Sequence, residues 1–204
     1  GCDLVKYCST NCRGEHREQH SEECKKRAAK LRDKRLFTLP DGTHLGECPI
    51  CFLPLPIDQR KSTHMTCCSK TICNGCDYAN KKSEGERGLG EQRCAFCREP
   101  LPTSQEQSDK QVTERAKKND PVAMGYMGIE HLAEGNYGKA LEYFAKAAEL
   151  GDVKAHCSLG MLYYEGFGVE KDEKKAVYHW GQAAIGGHPN ARVLLANYET
   201  NNGR

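Results

Sequence analysis

Apolar and polar positions follow two regimes along this chain, which meet near residue 102. Beyond it, alanine and glycine recur with a fixed period. Lys139-Ala140 returns as Lys175-Ala176, Ala147-Ala148 as Ala183-Ala184, and Gly151 as Gly187, each 36 residues later. A second echo links Ala123–Gly128, Ala155–Gly160 and Ala191–Ala196; its first interval is 32, because the first unit lacks an insert of the kind at Gly168–Lys171. Such a period predicts stacked helix pairs that cross closely at their small residues. Asp120-Pro121 supplies an N-cap with proline in the first helical position, Asp152 supplies a second N-cap, and Gly151 and Gly187 stand where helices stop. Tyr163, Tyr164, Phe167, Tyr178 and Trp180 are expected between helices, Cys157 as a packed thiol, and His188-Pro189 as the turn before another helix.

Before residue 102 the pattern is set by cysteine. Eight of the chain's 13 cysteines fall between Cys48 and Cys97, as the pairs Cys48/Cys51, Cys67/Cys68, Cys73/Cys76 and Cys94/Cys97. Three pairs have the two-residue gap that lets a tight turn aim both sulfurs at one metal. Thiolates are soft ligands suited to tetrahedral zinc, so eight of them predict two closed four-cysteine sites. Disulfide pairing is the alternative, and it needs an oxidising compartment that nothing in the sequence signals. So short a segment cannot build a sufficient core unaided, and metal would supply much of its folding free energy.

The order of these pairs resembles an all-cysteine RING-type domain. The resemblance implies interleaved ligands: Cys48, Cys51, Cys73 and Cys76 at one zinc, Cys67, Cys68, Cys94 and Cys97 at the other. The adjacency of Cys67 and Cys68 departs from the family pattern and leaves His64 as a substitute for one of them. Lys70 stands where commoner members have a histidine ligand, and Lys81–Gln92 reads as a flexible charged excursion. In the family, function lies on the surface: the resemblance implies that Ile50, Tyr78 and Arg98 contact a ubiquitin-conjugating enzyme. Ile50 as module core and Arg98 as an ordinary surface cation are the plainer alternatives. Ala95 replaces a proline often found after the seventh ligand, which weighs against activity.

At the N-terminus, Cys2, Cys8, Cys12, His20 and Cys24 resemble the second half of a MYND-type zinc finger. That resemblance implies two ligands of one site and three of another, completed by cysteines before Gly1; a self-contained site of Cys8, Cys12, His20 and Cys24 is the alternative. Because the chain starts at Gly1 rather than Met, we expect it to be a fragment. The run Lys25–Arg35 is rich in helix formers and lacks the interleaved aromatics of a base-stacking surface, so a solvated helix face is expected. The C-terminal segment Leu159–Ala176, Leu-Gly-Met-Leu-Tyr-Tyr-Glu-Gly-Phe-Gly-Val-Glu-Lys-Asp-Glu-Lys-Lys-Ala, resembles a Sel1-like repeat, a relative of the tetratricopeptide repeat. This implies an all-α solenoid with a concave face for protein partners.

The expected architecture is therefore small zinc-stapled α+β modules followed by a helical-repeat solenoid. Its divisions are 1–39 partial finger and basic helix, 40–47 linker, 48–101 RING-type module, 102–119 linker or helix, and 120–204 Sel1-like repeats. The formal charge of +2 counts cysteines as neutral; two four-thiolate zinc sites add eight negative and four positive charges and bring it to −2. Net charge thus gives no support to polyanion binding, and no apolar run approaches the ~20 residues of a membrane span. No phosphate loop, nucleophile motif or pair of catalytic carboxylates is visible. An intracellular, cytoplasmic or nuclear protein is expected, and the RING-type resemblance implies a ubiquitin ligase that works without a covalent intermediate. It would join a ubiquitin-conjugating enzyme to a protein target; a non-catalytic adaptor is the alternative.

Overall fold

The computed structural model describes Lys30, Leu31, Asp33, Lys34 and residues 45–86, 88 and 91–202. The chain divides into two compact units, Gly1–Leu39 and Pro40–Arg204. In the first unit the four described residues are helical, in keeping with the helix-forming run that contains them. Cys2, Cys8, Cys12, His20 and Cys24 lie outside the described residues.

The second unit begins with a cysteine-rich module. Strands β1 (Ser62–Met65) and β2 (Lys70–Cys73) pair antiparallel, in register from Ser62↔Cys73 to Met65↔Lys70. Residues 66–69 form the hairpin tip and carry Cys67 and Cys68, with Ser69 at a φ of 55°. β2 runs directly into helix α1 (Asn74–Glu86), so Cys73 and Cys76 straddle a strand–helix junction. The buried apolar residues are Leu55, Met65 and Ile72, together with Cys48, Cys68 and Cys94.

Helix α1 corrects one expectation. Residues 81–86 continue the helix rather than opening a flexible excursion. The cause is Glu84, which is 2% exposed despite its charge. Its carboxylate accepts from the Arg93 backbone N–H at 2.9 Å and lies 3.7 Å from the Arg98 guanidinium. A buried carboxylate so partnered fixes the last turn of the helix.

After the module come α2 (Gln105–Lys117), α3 (Pro121–Ala133), α4 (Tyr137–Glu149), α5 (Val153–Glu165), α6 (Glu173–Ile185) and α7 (Pro189–Asn201). Side chains of Ser104, Asp120, Asn136, Asp152, Asp172 and His188 accept N-terminal N–H groups of these helices in turn. Gly151 and Gly187 lie at positive φ just past α4 and α6. The packing rule is a large ring against a glycine. Phe144 of α4 lies on Gly128 of α3, and Trp180 of α6 lies on Gly160 of α5. Cys157 is buried, and burial pushes its thiol up to about 11, as befits a packed side chain.

One alternative for this region is settled and two expectations change. The segment 102–119 is less a linker than a helix of the array, since Val112 and Ala116 of α2 join the same core as Phe144. Phe167 is 46% exposed, because it sits in the α5–α6 connection and stacks on Tyr137 rather than entering the core. Tyr178 is 59% exposed on the outer side of α6, edge-on to His179. Only Trp180 of the five aromatics is fully buried, with Tyr163 and Tyr164 half-buried.

His156 of α5 and His179 of α6 meet with their Nδ1 atoms 3.0 Å apart. Burial holds both below the usual histidine value, His179 at about 4, with His156 and Lys175 adding to the effect there; Asp152 opposes it at His156. Groups with depressed folded pKa bind fewer protons in the native state than when unfolded, so stability rises with pH. The contribution is complete above about pH 6.5 and is lost as pH falls towards 4. Thermal melts between pH 7.5 and 5 are therefore expected to show a Tm that drops with acid, with a shallower drop in His179→Gln.

Candidate metal centres

Two chain turns build the sites in the same way. In the first, the Cys48 N–H donates to Leu53 O at 2.9 Å, Phe52 N–H to Cys48 O at 2.9 Å and Leu55 N–H to Gly46 O at 2.9 Å. In the second, Cys94 N–H donates to Glu99 O at 2.8 Å, Arg98 N–H to Cys94 O at 3.0 Å and Leu101 N–H to Gln92 O at 2.8 Å. Phe52 and Arg98, each directly after its second cysteine, have φ of 58° and 64°. The sequence carries a signal for this equivalence that pair spacing alone misses: Cys-x-x-Cys-x-x-Pro-Leu occurs at Cys48–Leu55 and again at Cys94–Leu101. It also aligns Ile50 with Phe96, a second apolar residue held inside a cysteine pair.

The sulfurs of Cys48, Cys51, Cys73 and Cys76 lie within 4.8 Å of one another, as do those of Cys67, Cys68, Cys94 and Cys97. The first turn thus converges with the strand–helix junction, and the second with the hairpin tip. Four sulfurs bound tetrahedrally at about 2.3 Å stand about 3.8 Å apart. The Cys51–Cys73 and Cys68–Cys94 separations are both 3.8 Å, and Cys67–Cys97 is 3.3 Å. Each group can hold a metal ion. His64 belongs to neither: its Nδ1 is 3.5 Å from Thr71 Oγ1, and its ring stands 4.6 Å from that of Tyr126. Burial and the nearby Lys154 push His64 down to about 4, against a smaller pull from Asp120.

Backbone N–H groups tune the thiols unequally. Burial would raise Cys48, but N–H groups of Cys51, Cys73 and Ile50 outweigh it and bring the thiol down to about 6. Cys94 is lowered in the same way, by N–H groups of Cys97 and Phe96 working against burial. Burial and crowding by neighbouring sulfurs raise Cys67, Cys68 to about 11, and Cys76 to about 12. Cys48 is thus disposed to ionise ahead of Cys76, and Cys94 ahead of Cys67 and Cys68, and metal must displace protons from the three raised thiols.

Around the sites, Ile50 is 38% and Tyr78 70% exposed, so neither is module core. Arg98 is bound within the module: its Nη1 donates to Asn80 Oδ1 at 3.0 Å, while Asn80 Nδ2 donates to Arg93 O at 2.9 Å. Sequence reading missed this clip of Asn80, Glu84 and Arg98, because its members are polar residues spread over a helix and a turn. Lys70 reaches over the Phe96 ring, with Nζ 5.8 Å from its centre. Among the described residues no helix is long and apolar enough to cross a membrane.

Residues 121–152 and 153–188 match the Sel1 repeat family. Among characterised proteins, HcpC of Helicobacter pylori is 38% identical over 58 residues, 28% of this chain and 20% of that protein. DAP3-binding cell death enhancer 1 of Rattus norvegicus is 38% identical over 56 residues, covering 28% of this chain and 11% of its own length. HRD3B of Arabidopsis thaliana, an ERAD-associated E3 ubiquitin-protein ligase component, is 42% identical over 55 residues, 26% of this chain and 9% of that protein. The chain thus spans a fifth or less of the length of these relatives. A crystal structure of a Sel1 repeat protein from Oxalobacter formigenes overlays 50% of this chain on 44% of its own, at 28% identity and a TM-score of 0.46. Helices α3 to α6 are two successive Sel1 repeats, a protein-interaction architecture.

Proposed function

We propose that the module is a zinc-built RING-like platform and that the protein is a ubiquitin ligase, presenting a conjugating enzyme there and a target on its Sel1 repeats. The observation that carries the reading is the interleaving of the sulfur groups: the first cysteine pair converges with the third, and the second with the fourth. Sulfur-only donor sets at these separations suit zinc. All four ligands of each site come from the chain, so the metals brace the fold and activate no water. Ile50 and Tyr78, both exposed beside the first site, form the apolar contact for the conjugating enzyme. Catalysis would then consist of holding thioester and amine in reacting geometry. The ubiquitin-ligase component among the similar proteins agrees with this direction over a small part of the chain.

The partial finger of Cys2, Cys8, Cys12, His20 and Cys24 would add a second zinc-binding module. A second reading, a non-catalytic adaptor, is favoured by one observation: the Arg98 guanidinium is engaged by Asn80 and Glu84 instead of being reserved for a partner.

Reconstituted discharge of ubiquitin from a panel of charged conjugating enzymes tests the proposal. Zinc-loaded protein is expected to accelerate discharge, and Ile50→Ala to slow it about tenfold, the loss of roughly 1.4 kcal/mol of contact. Zinc content should stay unchanged in Ile50→Ala. Inert wild-type protein with full zinc leaves the adaptor as the function.

A further inference from the structure

The hairpin tip that carries Cys67 and Cys68 is seated on the repeat array. Thr66 Oγ1 donates to Gln111 Oε1 of α2 at 2.6 Å, and Arg115 of α2 donates to the Cys68 carbonyl oxygen at 3.5 Å. Arg115 is itself held by Asp120, its Nε donating to Oδ2 at 3.0 Å, and Asp120 also takes a hydrogen bond from the Ser69 side chain. On the β1 side of the tip, the His64 ring lies on Tyr126 of α3. The first turn is placed differently: Glu47, Pro49 and Leu55 face Val122 and Val153 across a cleft of about 440 Å³.

Two adjacent cysteines reach one metal only if the turn that carries them is held in shape, and the hydrogen bonds of Gln111 to Thr66 and of Arg115 to the Cys68 carbonyl hold it from α2. A dication on four thiolates also leaves a charge of −2, which a neighbouring guanidinium stabilises. We propose that Arg115 and Gln111 are positioning residues for the Cys67/Cys68/Cys94/Cys97 site, and that metal bound there locks the module onto α2 and α3. The coupling is reciprocal: what the helices add to metal affinity, the metal adds to helix packing. Loss of this one metal would release the Tyr126 face of the first repeat, making occupancy a switch on the array's N-terminal end. The inference rests on the metal-site reading given above.

The test uses the 204-residue chain loaded with Co2+, whose tetrahedral thiolate complexes absorb visible light. Release to a chelator is followed by absorbance, with the phases assigned by Cys76→Ser for the first group and Cys97→Ser for the second. Arg115→Ala is expected to speed release from the second group about tenfold and to leave the first unchanged. Gln111→Ala, which spares the Arg115–Asp120 pair, should move the same phase by a smaller factor, and it decides the matter if Arg115→Ala does not fold. Emptying the second group should raise hydrogen exchange in α2 and α3 and leave α6 as before. Equal effects on both phases, or on neither, in a folded variant overturn the coupling. Wild-type chain that takes up no thiolate-bound cobalt at either group overturns the metal reading instead.

Discussion

Stripping metal from this protein is expected to unfold residues 45–101 while α4 to α7 remain helical. Without metal–sulfur bonds the buried apolar side chains of the module reduce to Leu55, Met65 and Ile72, since the other buried members of that core are cysteines. Three such side chains contribute about 1.5–3 kcal/mol each, well short of the ordering entropy of a segment this long. Structural zinc at these two groups would supply on the order of 10 kcal/mol per site and so decide whether the module folds. The sign of the pH effect follows from the thiols. With Cys68 near 11 and Cys76 near 12, metal entry expels protons, so affinity falls as pH falls. A chelator should therefore empty the sites more readily at pH 6 than at pH 8. Amide spectra recorded during chelation would show the module's signals collapse with those of α4 to α7 unmoved; a module that keeps its dispersion without metal would contradict the account.

The second large effect is expected in the solenoid. A Cβ at Gly160 would enter the van der Waals surface of the Trp180 ring, and one at Gly128 would lie 2.6 Å from Phe144 Cε1. Both rings are nearly fully buried, so neither can swing aside without moving a helix. Gly160→Ala should cost about 1–3 kcal/mol through overpacking, even though alanine is the better helix former. Gly181, within α6, supplies a control of opposite sign, because nothing lies within 4 Å of its Cβ position. Gly181→Ala should stabilise by roughly 0.5–1 kcal/mol. In thermal melts these amount to a Tm fall of several degrees for Gly160→Ala and a rise of a few degrees for Gly181→Ala, at about 2–4 °C per kcal/mol. If both substitutions lowered Tm alike, ring-on-glycine packing would not be what joins each helix pair.

The repeats were legible because they rest on local rules written twice. Asp120, Asp152, Gly151 and Gly187 are caps and stops whose chemistry acts within one turn, and the period repeats it. The interleaving of the cysteines was legible through family resemblance, and the convergence of their sulfurs agrees with it. What escaped were contacts between distant polar residues. The composition of α2, Gln-Glu-Gln-Ser-Asp-Lys-Gln-Val-Thr-Glu-Arg-Ala-Lys, leaves linker and helix both open and gives no sign that Val112 and Ala116 seat it in the core. Lys81–Glu86 reads as an excursion for the same reason, since hydropathy gives no sign that Glu84 will be buried between Arg93 and Arg98. His64 looked like a spare ligand three residues before Cys67, and only the fold reveals that Tyr126 takes its ring.

Counting zinc in the reduced 204-residue chain and in Cys48→Ser, Cys94→Ser and the double variant addresses the central claim most directly. Each single substitution is predicted to remove one zinc relative to wild type and the double to remove two, with His64→Ala leaving the count unchanged. A count indifferent to both cysteines, with disulfides found between these pairs instead, would contradict it.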